Sequence, residues 1–154
     1  MEFNIVPVDD PCLVLDVGGA SMEEGAGLIL WAYNGQDNQR FKLHEDGHIE
    51  AVHSGLMLDI YRGEVKGRYI IQWPKHDGSN QKWTFHRDGT IRSPSGLCLD
   101  VQNVEEGTEV IVSPPHGGSS QKWYLVKAEE RKLREDQEPK KENQKPKKEK
   151  QKPK

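Results

Sequence analysis

Along most of this chain apolar and polar residues alternate over short stretches, as in Leu56-x-Leu58-x-Ile60. That period of two places every second side chain on one face of a half-buried strand. In the middle third the pattern predicts four strands, at His48 to Val52, Leu56 to Tyr61, Tyr69 to Pro74 and Lys82 to His86. Asp46-Gly47 and Asp88-Gly89 fall between apolar runs, a pairing that favours a two-residue hairpin turn. Phe3 to Val6 supplies an opening strand, and no window ahead of the C-terminal segment sustains a helical period.

The pattern is written three times. A leucine-rich segment ending in Leu-Asp leads to a β-branched apolar run and then to Gln-x-aromatic. The copies are Leu15-Asp16 with Gln39-Arg40-Phe41, Leu58-Asp59 with Gln81-Lys82-Trp83, and Leu99-Asp100 with Gln121-Lys122-Trp123. The aspartates lie 43 and 41 residues apart and the closing aromatics 42 and 40, so one unit of four strands recurs. Three such units cannot each bury an apolar face alone. They are expected to pack around a pseudo-threefold axis, closing a barrel and removing its sheet edges. Propeller blades have this size and strand count too, but three are too few for a ring.

These phrases, three in register over residues 3 to 126, resemble the ricin-type (QxW) β-trefoil lectins. The resemblance implies an all-β trefoil, with Phe41, Trp83 and Trp123 as core residues of the barrel. It also implies sugar binding, of galactose or N-acetylgalactosamine type. A sugar presents vicinal hydroxyls along an edge and an apolar C–H patch on one face. A site for it needs a carboxylate acceptor, an aromatic ring and amides. The second repeat has Asp59, Trp73, His76, Asn80 and Gln81, and the first has Asp16, Trp31, Asn34, Asn38 and Gln39. By the resemblance Asp16 and Asp59 accept sugar hydroxyls, Trp31 and Trp73 stack, and Asn38 and Asn80 bind the edge. Gln39 and Gln81 orient the aspartates from behind, while Asn34 and His76 are additional donors. The third repeat keeps Asp100, His116 and Gln121, but Ser113 and Ser120 replace the ring and the amide, so it is expected to bind feebly or to be structural.

Charge divides the chain. Residues 1–126 carry 10 Lys and Arg against 18 Asp and Glu, whereas residues 127–154 carry 12 against 7. Every Phe, Trp and Tyr lies before residue 127, which places the folded domain at 1–126 and a tail at 127–154. Residues 128 to 137 suit a frayed helix. Beyond them Pro139 and Pro146 each open a lysine-rich heptapeptide without apolar residues, expected to be extended and solvated. Such lysines attract an anionic lipid surface, or serve as a solubilising appendage. Without aromatics among them, sequence-specific nucleic-acid recognition is not expected.

Many members of the resembled family tie each repeat with a disulfide. Here Val14 and Met57 stand where Cys98 keeps the first cysteine, and Tyr33, Lys75 and Pro115 stand at the partner positions. With no signal-peptide pattern and no apolar run of membrane length, the chain is expected to be cytoplasmic, or exported without a signal peptide. Its six histidines form no metal-ligand spacing, so neither metal nor cofactor is expected. No nucleophile or carboxylate pair marks an enzyme. The leading expectation is therefore a lectin working through the first and second repeats. The alternative is an intracellular trefoil that binds a protein, the cytoskeleton or an anionic membrane, with the tail as anchor.

Overall fold

In the computed structural model, residues 1–131 are described, and they form twelve strands. The first repeat contains β1 (Glu2–Pro7), β2 (Leu13–Val17), β3 (Leu28–Ala32) and β4 (Phe41–Leu43). The second contains β5 (Ile49–Ala51), β6 (Met57–Ile60), β7 (Ile70–Trp73) and β8 (Thr84–Phe85). The third contains β9 (Ile91–Arg92), β10 (Cys98–Asp100), β11 (Ile111–Ser113) and β12 (Trp123–Lys127). The second-repeat strands fall where the alternation puts them but are shorter, because only the residues that pair across a hairpin hold ladder geometry, whereas β1 outruns the expected Phe3 to Val6 by one residue at each end.

The architecture is a β-trefoil. Its N- and C-terminal strands close on each other, with Ile5 opposite Leu125 in the antiparallel pair β1·β12. The hairpins β2·β3, β6·β7 and β10·β11 touch cyclically through single bridges, Gly27 to Ile71, Tyr69 to Ile111 and Ile29 to Glu109. Equivalent residues of the three repeats meet in one core: Ile5, Ile49 and Ile91, then Leu15, Leu58 and Leu99, then Phe41, Trp83 and Trp123. Each fully buried aliphatic side chain contributes about 1.5–3 kcal/mol. The Trp83 and Trp123 indole N–H groups donate to the carbonyls of Leu58 and Leu99, at 3.1 and 3.2 Å. Phe41 has no such donor, so the first repeat lacks this buried hydrogen bond.

The Asp-Gly turns lie where expected but close differently. His44 N–H donates to the His48 carbonyl and Gly47 N–H to the His44 carbonyl, enclosing a three-residue loop of Glu45, Asp46 and Gly47. Gly47 has φ +97, so a type I turn followed by a left-handed residue replaces the two-residue turn. The hairpin from His86 to Thr90 repeats this arrangement, with Gly89 at φ +90. Asp-Gly serves both turn types, and the loop length decides between them.

Packing continues past Val126. Ala128 is buried, and in the helical turn 128–131 the Arg131 guanidinium lies 4.0 Å from the centre of the Tyr33 ring and donates to the Pro11 carbonyl at 3.0 Å. The lysine-rich heptapeptides, and the rest of the helix anticipated for residues 128 to 137, lie outside the described residues. Cys12 is an exposed free thiol and Cys98 a buried one. Among the described residues, no helix is long and apolar enough to cross a membrane.

Candidate functional site

The Leu-Asp phrase works through strand alternation. Leu15, Leu58 and Leu99 enter the core, so Asp16, Asp59 and Asp100 project from the opposite face of their hairpins. Asp59 pairs with Ile71 across β6·β7, and Met57 with Trp73. Trp73 is thus a diagonal neighbour of Asp59 on one face, within reach of a common ligand.

The 3₁₀ turn Ser79–Gln81 then folds back over this hairpin. Gln81 Nε2 donates to Asp59 Oδ2 at 2.8 Å and to the Pro74 carbonyl at 2.9 Å, while its Oε1 accepts the His76 N–H at 2.9 Å. Asn80 Nδ2 donates to Asp59 Oδ1 at 2.9 Å and to the Ile60 carbonyl at 3.1 Å. His76 Nδ1 accepts the Gly78 N–H at 2.8 Å, which leaves the ring proton on Nε2, 3.3 Å from Asp59 Oδ2. Burial pushes the Asp59 carboxyl above its ordinary value of 3.8, against the smaller opposing pull of Gln81, His76 and Asn80. The result is a desolvated carboxylate whose orientation is fixed from behind, with a histidine at its rim and a tryptophan beside it.

The first repeat reproduces the frame. Gln39 Nε2 donates to Asp16 Oδ2 at 2.8 Å, and Asn38 Nδ2 to Asp16 Oδ1 at 3.2 Å. Its access differs. Trp31 retains 9% of its surface and Asp16 none, against 39% for Trp73 and 3% for Asp59. Where the sequence predicts an exposed stacking ring at Trp31, the structure places a covered one. The cover is the loop before β11: Gly107 N–H donates to the Leu30 carbonyl at 2.7 Å, and Glu106 Oε1 accepts the Ala32 N–H at 3.3 Å. In the second repeat Gly25 makes the first of these bonds, to the Gln72 carbonyl at 2.8 Å. Pro74 occupies the place of Ala32 and has no N–H to draw Glu24 across Trp73. Asn34 Oδ1 accepts the Gln36 N–H at 2.9 Å within its own exposed loop.

In the third repeat Gln121 Nε2 and His116 Nε2 lie 3.1 and 3.2 Å from Asp100 Oδ2. The Val101 N–H, at 2.7 Å, takes the other carboxylate oxygen, which Asn80 holds in the second repeat. Carboxylate, histidine and glutamine are therefore assembled there without ring or amide.

Two contributors escaped the sequence reading. Gln72, fully buried, donates through Nε2 to the carbonyls of Ser21 and Glu23, both at 2.8 Å, fastening the loop that runs beside Trp73. Its signal was a polar residue where Leu30 and Val112 stand in the other repeats. Gly78 is the second: a Cβ there would lie 2.7 Å from His76 Cε1 and 2.8 Å from Asn80 Oδ1. Gly78→Ala should therefore dislodge His76 and weaken about tenfold any ligand held beside Asp59, as expected for losing a hydrogen bond to a charged group. Because the loop is exposed, the melting temperature should barely move. Calorimetric titration beside a thermal melt checks both.

Comparisons agree with the geometry. A family model described as ricin-type beta-trefoil lectin domain matches residues 2–123. A designed threefold-symmetric protein, ThreeFoil, superposes with a TM-score of 0.73 and 34% identity, over 81% of this chain and 97% of that one. An exo-beta-1,3-galactanase from Clostridium thermocellum gives 0.74 and 31%, over 81% of this chain but 30% of the enzyme. The C-terminal half of an earthworm R-type lectin, in complex with GalNAc, gives 0.71 and 22%, over 81% and 97%. Comparison with curated protein sequences finds no match.

Proposed function

The chain belongs to the ricin-type β-trefoil lectin domain family, and on that premise we propose that it binds glycans without catalysis, through the second repeat. The observation that carries this reading is the half-exposed Trp73 beside the buried, pre-oriented carboxylate of Asp59. Asp59 accepts two sugar hydroxyls, Trp73 covers the apolar face, and His76 and Asn80 complete the edge. Gln81 holds the carboxylate. Galactose or N-acetylgalactosamine is the proposed sugar class, in keeping with the GalNAc bound by the earthworm lectin. The first repeat, complete in residues but covered by Glu106 and Gly107, is secondary in this reading, and the third supplies structure.

A glycan array probed with the full chain tests the proposal, which expects galactose- or GalNAc-terminated glycans among the ligands. Binding of no glycan, together with capture of a protein or vesicle, would favour the interaction-module reading instead. One shallow monosaccharide site gives roughly millimolar affinity, about −4 kcal/mol, so the array must present its glycans densely.

Binding should also depend on pH in a defined direction. Sugar hydroxyls need the ionised carboxylate, so affinity should fall about tenfold per unit once the pH drops below the Asp59 pKa. Because burial raises that pKa, the loss begins above 3.8, earlier than for an exposed aspartate. The fold responds with the opposite sign. A carboxyl whose folded pKa is raised is more easily protonated in the folded state, so protonating Asp59 does not by itself unfold the domain. Titrations from pH 7 downward, paired with melts, should show affinity declining before stability does.

A further inference from the structure

We propose that His48 is a positioning residue of the second-repeat site, an inference that rests on the glycan-binding reading above. His48 lies at the start of the hairpin arm that precedes β6 and is almost wholly buried. Its Nε2 is 2.7 Å from the His76 carbonyl oxygen. A carbonyl only accepts, so Nε2 carries the proton and donates it. His76 is thereby held at four points: its N–H by Gln81, its carbonyl by His48, its Nδ1 by Gly78, and its Nε2 against Asp59.

His48 is itself fixed from the turn. Its backbone N–H donates to Asp46 Oδ1 at 3.0 Å, while its Nδ1, 3.0 Å from Asp46 Oδ2, makes no hydrogen bond among the described residues. The same Asp46 carboxylate lies 3.7 Å from Lys75 Nζ, so the β4–β5 turn grips the His76 loop at two adjacent residues.

The other repeats show that this brace is particular to the second. Strand register makes Asn4, His48 and Thr90 equivalent, and all three are buried. Asn4 donates to the Gln39 carbonyl at 2.8 Å, bracing the 3₁₀ turn of the first repeat. Thr90 spends its one hydroxyl proton on Asp88 at 2.6 Å, and Pro115 stands where Lys75 does, so His116 keeps its other three contacts without, among the described residues, a brace on its carbonyl. The repeat with an exposed tryptophan and a rim histidine is the one in which that histidine's backbone is tied to the barrel.

The test compares His48→Gln, which keeps an N–H donor of similar reach, with His48→Val, which keeps none, both in the full chain. Methyl N-acetylgalactosaminide is titrated, and the ring nitrogens of His76 are followed by NMR without sugar. His48→Val should bind about tenfold more weakly and lose the single Nε2–H tautomer of His76, while His48→Gln stays within about twofold of wild type in affinity and keeps the tautomer. If His48→Val does not fold, His48→Thr, which places the third repeat's residue there, serves in its stead. An unchanged His76 tautomer in the donor-less variant, or equal losses in both variants, would overturn the proposal. Should the wild type bind no methyl N-acetylgalactosaminide, the sugar assignment fails separately, and the His76 signals still decide whether His48 positions it.

Discussion

Asp59→Ala should abolish detectable glycan binding, whereas Asp16→Ala should leave it unchanged, and both variants should stay folded. Each hydrogen bond from a sugar hydroxyl to a carboxylate is worth about 1.5–3 kcal/mol, so losing two cancels most of a millimolar site's free energy. The fall should be on the order of a hundredfold or more. Structurally, Gln81 and Asn80 each keep a second acceptor, the carbonyls of Pro74 and Ile60, and a desolvated charge disappears. Asp59→Ala is therefore expected to cost about 1 kcal/mol of stability. Asp16 has no exposed surface through which to meet a sugar. Its removal leaves Gln39 and Asn38 their second acceptors, the carbonyls of Ala32 and Val17, so it too should cost about 1 kcal/mol while affinity stays unchanged. Titration and denaturant melts of the two variants separate these outcomes.

The second large effect separates tryptophans that look alike in sequence. Trp83→Ala should destabilise the fold by about 3–5 kcal/mol through the cavity it leaves, with a further contribution from the orphaned Leu58 carbonyl. Against a typical total of about 5–15 kcal/mol, that lowers the melting temperature by roughly 10–20 °C. Trp73→Ala removes a half-exposed ring outside the core cluster, so it should shift the melt by only a few degrees and still eliminate sugar stacking. Trp83→Phe, which copies the natural Phe41, should restore most of the packing and cost about 1 kcal/mol for the missing indole donor. Thermal melts of the three variants, with titration for Trp73→Ala, check the series.

The threefold frame was legible because it depends on positions within one repeat. Leu58 faces the core, Asp59 faces away, and Gln81 returns to hold the carboxylate, all within a single forty-residue unit. What the sequence concealed lies between repeats or between turns. Glu106 accepts the Ala32 N–H across 74 positions, next to the covered Trp31, a contact that repeat-by-repeat comparison cannot display. Pro74, which has no N–H where Ala32 bonds Glu106, stands beside the exposed Trp73, although the sequence offered it only as a strand end. His48 was likewise one of six scattered histidines until the β4–β5 turn brought it to the His76 carbonyl. Asn34, expected as an additional sugar donor, has its side-chain oxygen engaged within its own exposed loop by the Gln36 N–H.

Chemical-shift mapping of the full chain against methyl N-acetylgalactosaminide and methyl galactoside tests the central claim most directly. Saturable shifts are expected at the Trp73 indole, the His76 ring and the Asn80 side chain, with the Trp31 indole and the His116 ring unmoved. Saturable shifts centred on Trp31 or His116 and absent from Trp73, or no shifts with either sugar or with any glycan the array selects, would contradict it.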